Sequence, residues 1–368
     1  MPSEWHGFNS RKVMFHAAQC RQIVDWLDGN SNRLPPPVAV DTDPSNRCQQ
    51  QCCYCNAYMY RREEGFHSMP PGHLLRLADA YAEWGVKATC IAGGGEPLCN
   101  AEVPGMIARL ADVGVESAMI TNGVLLYHAV ADVLVEHSRF CGVSCDGATR
   151  ETYAAMRGAD HLPKVQENIR RLCELKRQRG SRLQVTLKYL IHPYNYLELP
   201  VVARMARDLG CDCVHIRPAG LDNVPGVTDP TAQPGFDREG YAKAVNDLIA
   251  EAETLAATGF DVRAQREKFG PQLERVIRFD RCRCTPLAGV FGADGWFHLC
   301  FSMRGRDGYR LARHDPDPAE VIRAWGSDRH RDLVLAIDPE RCMRCAFTGY
   351  NEFIEQAVCT DAMYRNFL

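Results

Sequence analysis

Between residues 37 and 220 the chain alternates short apolar runs with longer amphipathic ones, and this rhythm limits the folds open to it. "VAVDTD", "KATCIAGGG", "ESAMITNG", "RFCGVSCDG", "RLQVTLKYLI" and "CDCVHIRPA" read as buried strands, several of them ended by Gly. Between them "GHLLRLADAYAEWG", "VPGMIARLADVG", "LLYHAVADVLVEH", "TRETYAAMRG", a stretch near 163–178 and "YLELPVVARMARDLG" read as helices. Six strand–helix steps predict an α/β fold, a parallel sheet with covering helices, curved into a partial (β/α)6 TIM barrel. In such folds function collects at the C-terminal ends of the strands.

The flanks read differently. Residues 1–36 form an N-terminal helical extension, with "KVMFHAAQCRQIVDWL" apolar at helical spacing before "NRLPPP" breaks it. The barrel is expected over 37–220. Residues 221–281 read as a Pro/Gly/Asp-rich linker followed by a long helix, and 282–368 as a small, irregular, cysteine-rich domain. No repeat of solenoid type and no low-complexity tract is visible.

The composition is that of a soluble globular protein, 46% apolar and 24% charged, with a formal net charge of −3. Such a balance exerts no strong pull on nucleic acid or anionic membrane. The apolar runs are too short to span a bilayer, and the N-terminus has no secretory pattern. A cytoplasmic protein is therefore expected, with its thiols kept reduced. Its 18 cysteines then read as metal ligands and buried small side chains rather than as a disulfide framework.

Four of those cysteines lie in "RCQQQCCYCNAY", directly after the first strand. Cys48, Cys52 and Cys55 are spaced C-x3-C-x2-C, and Cys53 is the extra one. A structural zinc site usually takes four ligands in two pairs, so one tight group of three fits zinc poorly. Three thiolates can hold three corners of an iron–sulfur cubane, leaving one iron open. With Tyr54 before the third cysteine, the loop resembles that of the radical S-adenosylmethionine (radical SAM) superfamily. "GGGEP" (93–97) resembles that family's glycine-rich methionine-binding motif, and "SCDG" with the later "MRG" (144–158) its ribose- and carboxylate-contacting segment.

The resemblance implies that Cys48, Cys52 and Cys55 ligate a [4Fe–4S] cluster whose open iron binds S-adenosyl-L-methionine. An electron from the cluster would then produce a 5′-deoxyadenosyl radical that takes a hydrogen atom from the substrate. An external electron donor such as flavodoxin or ferredoxin is implied as a partner. The expected cofactor contacts are Gly94, Gly95, Glu96, Asn122, Ser144 and Arg157. Gly94 and Gly95 allow close backbone approach. Glu96 can accept from a ligand ammonium, Ser144 can bond a ribose hydroxyl, and Arg157 can pair with the methionine carboxylate. Cys53 is expected to face away.

A second cysteine set follows. Cys284, Gly295 and Cys300 frame a predicted hairpin with "ADG" as its turn, and Cys342 and Cys345 form a C-x2-C. Four thiolates suit either zinc or a whole cluster. After a radical SAM core the pattern resembles the SPASM/Twitch extension, which implies one auxiliary [4Fe–4S] cluster. Asn351 and Glu355 stand where further SPASM cysteines are expected, which favours the shorter Twitch form, and Cys359 is left unpaired. Cys282, two residues before Cys284, is the competing ligand; Cys284 is preferred because its apolar strand runs directly into the glycine turn.

The expected reaction is that of a radical SAM oxidoreductase. Its expected substrate is a small natural-product intermediate, a sugar, aminocyclitol or nucleoside, oxidised at a carbinol carbon. Epimerisation or deoxygenation of the same class, or peptide modification by a SPASM-type maturase, are the alternatives. Lys188 and His215 are candidate acid–base groups, and Cys145 and Cys213 candidate hydrogen-atom donors. Tyr189 and Arg217 also lie at strand ends, and Lys188 and Arg217 can hold anionic substrate groups. Charged residues in otherwise apolar strands need partners.

Overall fold

The computed structural model describes residues 10–63, 65–220, 231, 233–265, 273, 276–342 and 345–359. Its strands are β1 (Ala39–Thr42), β2 (Ala88–Ile91), β3 (Glu116–Thr121), β4 (Phe140–Ser144), β5 (Gln184–Ile191), β6 (Cys213–Pro218), β7 (Asp261–Ala264), β8 (Val290–Phe291), β9 (Trp296–His298) and β10 (Arg310–Arg313). They form one sheet in the order β10-β9-β8-β1-β2-β3-β4-β5-β6-β7. From β1 to β7 every neighbouring pair is parallel. The sheet does not close on itself, as a partial barrel requires.

All six expected strands are present, and so are the helices read from their spacing: His73–Trp84 after β1, Val103–Asp112 after β2, His128–His137 after β3, both Arg150–Arg157 and Leu162–Gln178 after β4, and Leu199–Asp208 after β5. Their apolar stripes are buried against the sheet; Leu74, Leu77 and Tyr81 on the first and Met106, Ile107 and Leu110 on the second are fully out of solvent.

Two features go beyond the sequence reading. The stretch after the long helix Arg238–Glu253 contributes β7, a seventh parallel strand paired with β6. The cysteine-rich segment also joins the sheet: β8 runs parallel to β1, and the β8–β9 hairpin continues it antiparallel. Gly295 makes the turn, at φ +80. Trp325 packs edge-on against both Trp84 and Phe297, tying the C-terminal segment to the first barrel helix. The N-terminal helix Ala17–Leu27 closes the same side, with the Trp26 indole donating to Gly326 O and Arg21 to Val358 O. The connector expected at 221–230 lies outside the described residues. Among the described residues no helix is long and apolar enough to cross a membrane.

Candidate functional site

The cysteine loop leaves β1 and is clamped from both sides. On one side the Glu96 amide donates to Arg47 O at 2.7 Å. A side chain on Gly95 would bring its Cβ to 2.3 Å from that same carbonyl, so only glycine permits the approach. On the other side the loop amides of Gln51 and Cys53 donate to Arg157 O and Met156 O, at the end of the helix Arg150–Arg157. Thr149 caps the start of that helix through the Thr152 amide, and Gly158, at φ +68, ends it. A Cβ on Gly158 would meet Gln51 O at 2.5 Å. Two motifs expected to contact a cofactor are thus also the jaws that fix the three cysteines.

The loop is tied from below as well. Arg61 donates to Cys48 O and Gln50 O, and the Gln50 amide group bonds the Tyr153 hydroxyl at 2.8 Å. Cys48, Cys52 and Cys55 line a cavity of about 440 Å³ at the C-terminal rim of the parallel strands. Cys53 is turned away, packed with Tyr54, Met156 and Ala219. Burial pushes the Cys48 thiol up to about 11, and Cys52 is raised by the same cause against the pull of Arg157. Buried thiols of this kind ionise only when a cation offsets the charge.

The other expected cofactor contacts line the same cavity: Gly94, Gly95, Glu96, Asn122, Ser144 and Arg157. Glu96 is largely committed within the protein. It accepts from the Thr121 hydroxyl at 2.6 Å and the Asn122 amide at 2.8 Å, and burial lifts it to about 7. The Asn122 side chain accepts from the Val124 amide and reaches 3.7 Å toward the Cys48 sulfur. Arg157 is paired with Asp146, which also accepts from the Tyr54 hydroxyl and the Leu190 amide. The donor set fits a cluster with a polar, partly ionic ligand beside it: three thiols, a glycine wall, and hydroxyl, amide and guanidinium groups around one space. Among the described residues no three His, Cys, Asp or Glu side chains close on a single ion-sized point.

The second cysteine set reaches the same space, because Cys300 and Cys345 also line the cavity. Burial raises Cys300 to about 12, with Cys282, Cys345 and Cys342 adding to it. Burial raises Cys345 to about 11, with Cys282 and Cys342 adding. Cys282 is thus the neighbour that both thiols feel most. Cys284, also raised by burial and then by Cys282, Cys345, Cys20 and Cys300 in that order, faces Phe347 O. Cys342 lies 3.9 Å from the Tyr309 hydroxyl.

Of the candidate reacting groups, Lys188 and Arg217 line the cavity. His215 is buried one layer below Arg217 on β6, in register with Lys188 and Arg263. Cys145, Cys213 and Tyr189 are buried away from the cavity: the first faces Gly147 O, the second lies against Arg263, and the Tyr189 hydroxyl donates to Asn195 O. Several cavity residues escaped the sequence reading, among them Asp41, Arg304 and Gln265. Asp41 on β1 is pushed up to about 7 by burial, against the pull of Arg304. Arg304, from the C-terminal segment, pairs with Asp43 at 2.8 Å, and Gln265 follows β7. The signal for Asp41 was available, a carboxylate inside the apolar run "VAVDTD".

A model of the Radical SAM superfamily matches residues 42–206. The PqqA peptide cyclase of Xanthomonas campestris pv. campestris (strain B100) is 27% identical over 250 residues, 65% of this chain and 58% of that protein. The PqqA peptide cyclase of Granulibacter bethesdensis is 28% identical over 181 residues, 48% of this chain and 46% of that protein. The chain therefore spans about half the length of these curated relatives. The crystal structure of Streptococcus suis SuiB bound to precursor peptide SuiA shares the fold, with a TM-score of 0.64 at 15% identity, covering 92% of this chain and 74% of that one. The expectation of a sugar, aminocyclitol or nucleoside oxidised at a carbinol carbon, or epimerised or deoxygenated, is overturned here: the two relatives just named are peptide cyclases by name. Cysteine spacing reports the cofactor and is blind to the substrate, which is why the sequence reading missed it.

Proposed function

As residues 42–206 belong to the Radical SAM superfamily, we propose that the chain is a radical SAM maturase of the SPASM/Twitch type that oxidatively modifies a peptide. The observation that carries the peptide reading is the match to PqqA peptide cyclases along 65% of the chain. Support for the redox half comes from the cavity, whose wall holds Cys48, Cys52 and Cys55 together with Cys300 and Cys345.

The cofactors of this family supply reductive cleavage of S-adenosyl-L-methionine at a [4Fe–4S] cluster and removal of a hydrogen atom from the substrate. In this chain Cys48, Cys52 and Cys55 hold that cluster. Gly94, Gly95, Asn122, Ser144 and Arg157 form the wall beside it, and Glu96 fixes the Thr121–Asn122 turn that presents Asn122. Arg157, next to Cys52, favours the thiolate there. Cys300, Cys342 and Cys345, with Cys282 as the fourth thiol, would hold an auxiliary cluster, which would supply electron-accepting chemistry beside the cavity. Lys188, in the cavity, is the group placed to take the accompanying proton. A flavodoxin- or ferredoxin-like protein supplies the first electron.

The test is turnover of short peptides encoded beside the gene. Anaerobically reconstituted protein, S-adenosyl-L-methionine and dithionite should convert one of them to a product lighter by a hydrogen pair, with 5′-deoxyadenosine formed in step. Formation of 5′-deoxyadenosine with every such peptide unchanged would remove the peptide reading.

A further inference from the structure

Four arginines line the cavity: Arg61, Arg157, Arg217 and Arg304. Three are committed. Arg61 donates to the Cys48 and Gln50 carbonyls, Arg157 pairs with Asp146, and Arg304 pairs with Asp43. Arg217 makes no hydrogen bond or ion pair among the described residues. The carboxylate whose field reaches it is Asp146, which already serves Arg157, Tyr54 and the Leu190 amide. Burial consequently pushes the Arg217 guanidinium below its ordinary pKa.

Its place in the fold is fixed. Arg217 precedes Pro218 at the end of β6, in register with Leu190 on β5. On its other side the Gln265 amide donates to Ile216 O at 3.0 Å, and Gln265 lines the same wall. The Arg217 guanidinium is only partly withdrawn from water and has no carboxylate partner among the described residues. A guanidinium aimed into a cavity is explained by an anion that arrives there. Its planar fork suits a carboxylate held by two parallel bonds.

We propose that Arg217 anchors a side-chain carboxylate of the peptide substrate, so that the segment presented to the radical site carries an Asp or Glu. This rests on the peptide reading above. The methionine carboxylate of S-adenosyl-L-methionine offers the same chemistry, and the experiment separates the two sources.

Anaerobically reconstituted wild-type protein is treated with phenylglyoxal, and modification of Arg217 is mapped by peptide mass spectrometry. Saturating S-adenosyl-L-methionine alone should leave Arg217 reactive. Added N-acetylglutamate methylamide should then slow its modification roughly tenfold, the scale of a charge-assisted pair, while N-acetylglutamine methylamide does not. Arg217→Gln should weaken binding of the glutamate probe by a similar factor, and Arg217→Lys should recover part of it. Loss of reactivity with S-adenosyl-L-methionine alone would assign the site to the methionine carboxylate and overturn the proposal. Equal protection by both blocked amino acids, or by neither, would overturn it too. If glutamate protects but no encoded peptide is modified, the peptide reading fails while the carboxylate site stands.

Discussion

The Arg157 guanidinium closes on the Asp146 carboxylate at 2.5 Å, and its other amino nitrogen lies 3.6 Å from the Cys52 sulfur. Both carboxylate and guanidinium are almost wholly out of solvent, so the pair is a buried one. Removing one partner of such a pair strands the other and costs about 3–5 kcal/mol. Arg157→Leu is therefore expected to lower the urea midpoint sharply, and Arg157→Lys by less. Anaerobic urea titrations of the reconstituted proteins check this; midpoints equal to wild type in both variants would show that Asp146 is held by Tyr54 and Leu190 alone.

The glycines of "GGGEP" differ in what they forbid. A Cβ on Gly95 would lie 2.3 Å from Arg47 O and 2.4 Å from Asn46 C, both backbone. On Gly94 it would meet the Tyr60 ring at 2.3 Å, and on Gly93 only Gly95 O at 3.0 Å. Backbone moves less readily than a side chain, and forced overpacking costs about 1–3 kcal/mol. Iron retained after reconstitution should fall most in Gly95→Ala, less in Gly94→Ala and least in Gly93→Ala. A reversed order would mean that the loop is not clamped at Arg47.

Much of this was legible beforehand because the first six strands lie in mostly apolar runs whose period differs from that of their helices. β7 was not, since "DVRA" is half charged and owes its place to pairing with β6. β8, only Val290–Phe291, owes its place to β1 in the same way. In the site, the cysteine loop announced itself by spacing, whereas strand alternation was needed to sort the reacting groups. Cys145 follows Ser144 and so points to the opposite face, and Tyr189 likewise follows Lys188. Cys213 shares a face with Arg217 but sits two layers lower on β6. The commitment of Glu96 to Thr121 and Asn122 joins two separate loops, and no local pattern encodes it.

Two [4Fe–4S] clusters correspond to roughly eight irons per chain, by cluster stoichiometry. Changing Cys48, Cys52 and Cys55 together to Ala should remove about half and end cleavage of S-adenosyl-L-methionine. In the second set the proximity of Cys282 to Cys300 and Cys345 makes the variants distinguishable. Cys282→Ala should lose the auxiliary iron, and Cys284→Ala should retain it. Iron assay with Mössbauer spectroscopy checks each; the opposite pattern would return the role to Cys284, and stoichiometric zinc in protein purified anaerobically would replace the auxiliary cluster.

Acid should loosen the junction between the first barrel helix and the C-terminal hairpin. His73 Nε2 and His314 Nδ1 are 2.8 Å apart, and His314 Nε2 lies 2.9 Å from Gly292 O. With both rings neutral, His73 donates to His314 and His314 donates to the carbonyl; a second proton on His314 would remove the acceptor. Burial and then His73 lower His314 to about 3, and burial lowers His330, which packs on Trp26 and Trp325, to about 3. A histidine whose folded pKa lies below its unfolded value binds more protons when unfolded. Its contribution is therefore complete above about pH 6.5 and is lost as pH falls toward 3, at about 1.4 kcal/mol per pH unit for each ring. His314→Gln and His330→Phe should each flatten the fall of unfolding free energy between pH 6 and 4 by roughly that slope, even where the variant is less stable at pH 7. Urea unfolding at several pH values measures the slopes; unchanged slopes in both variants would place the acid sensitivity on other groups.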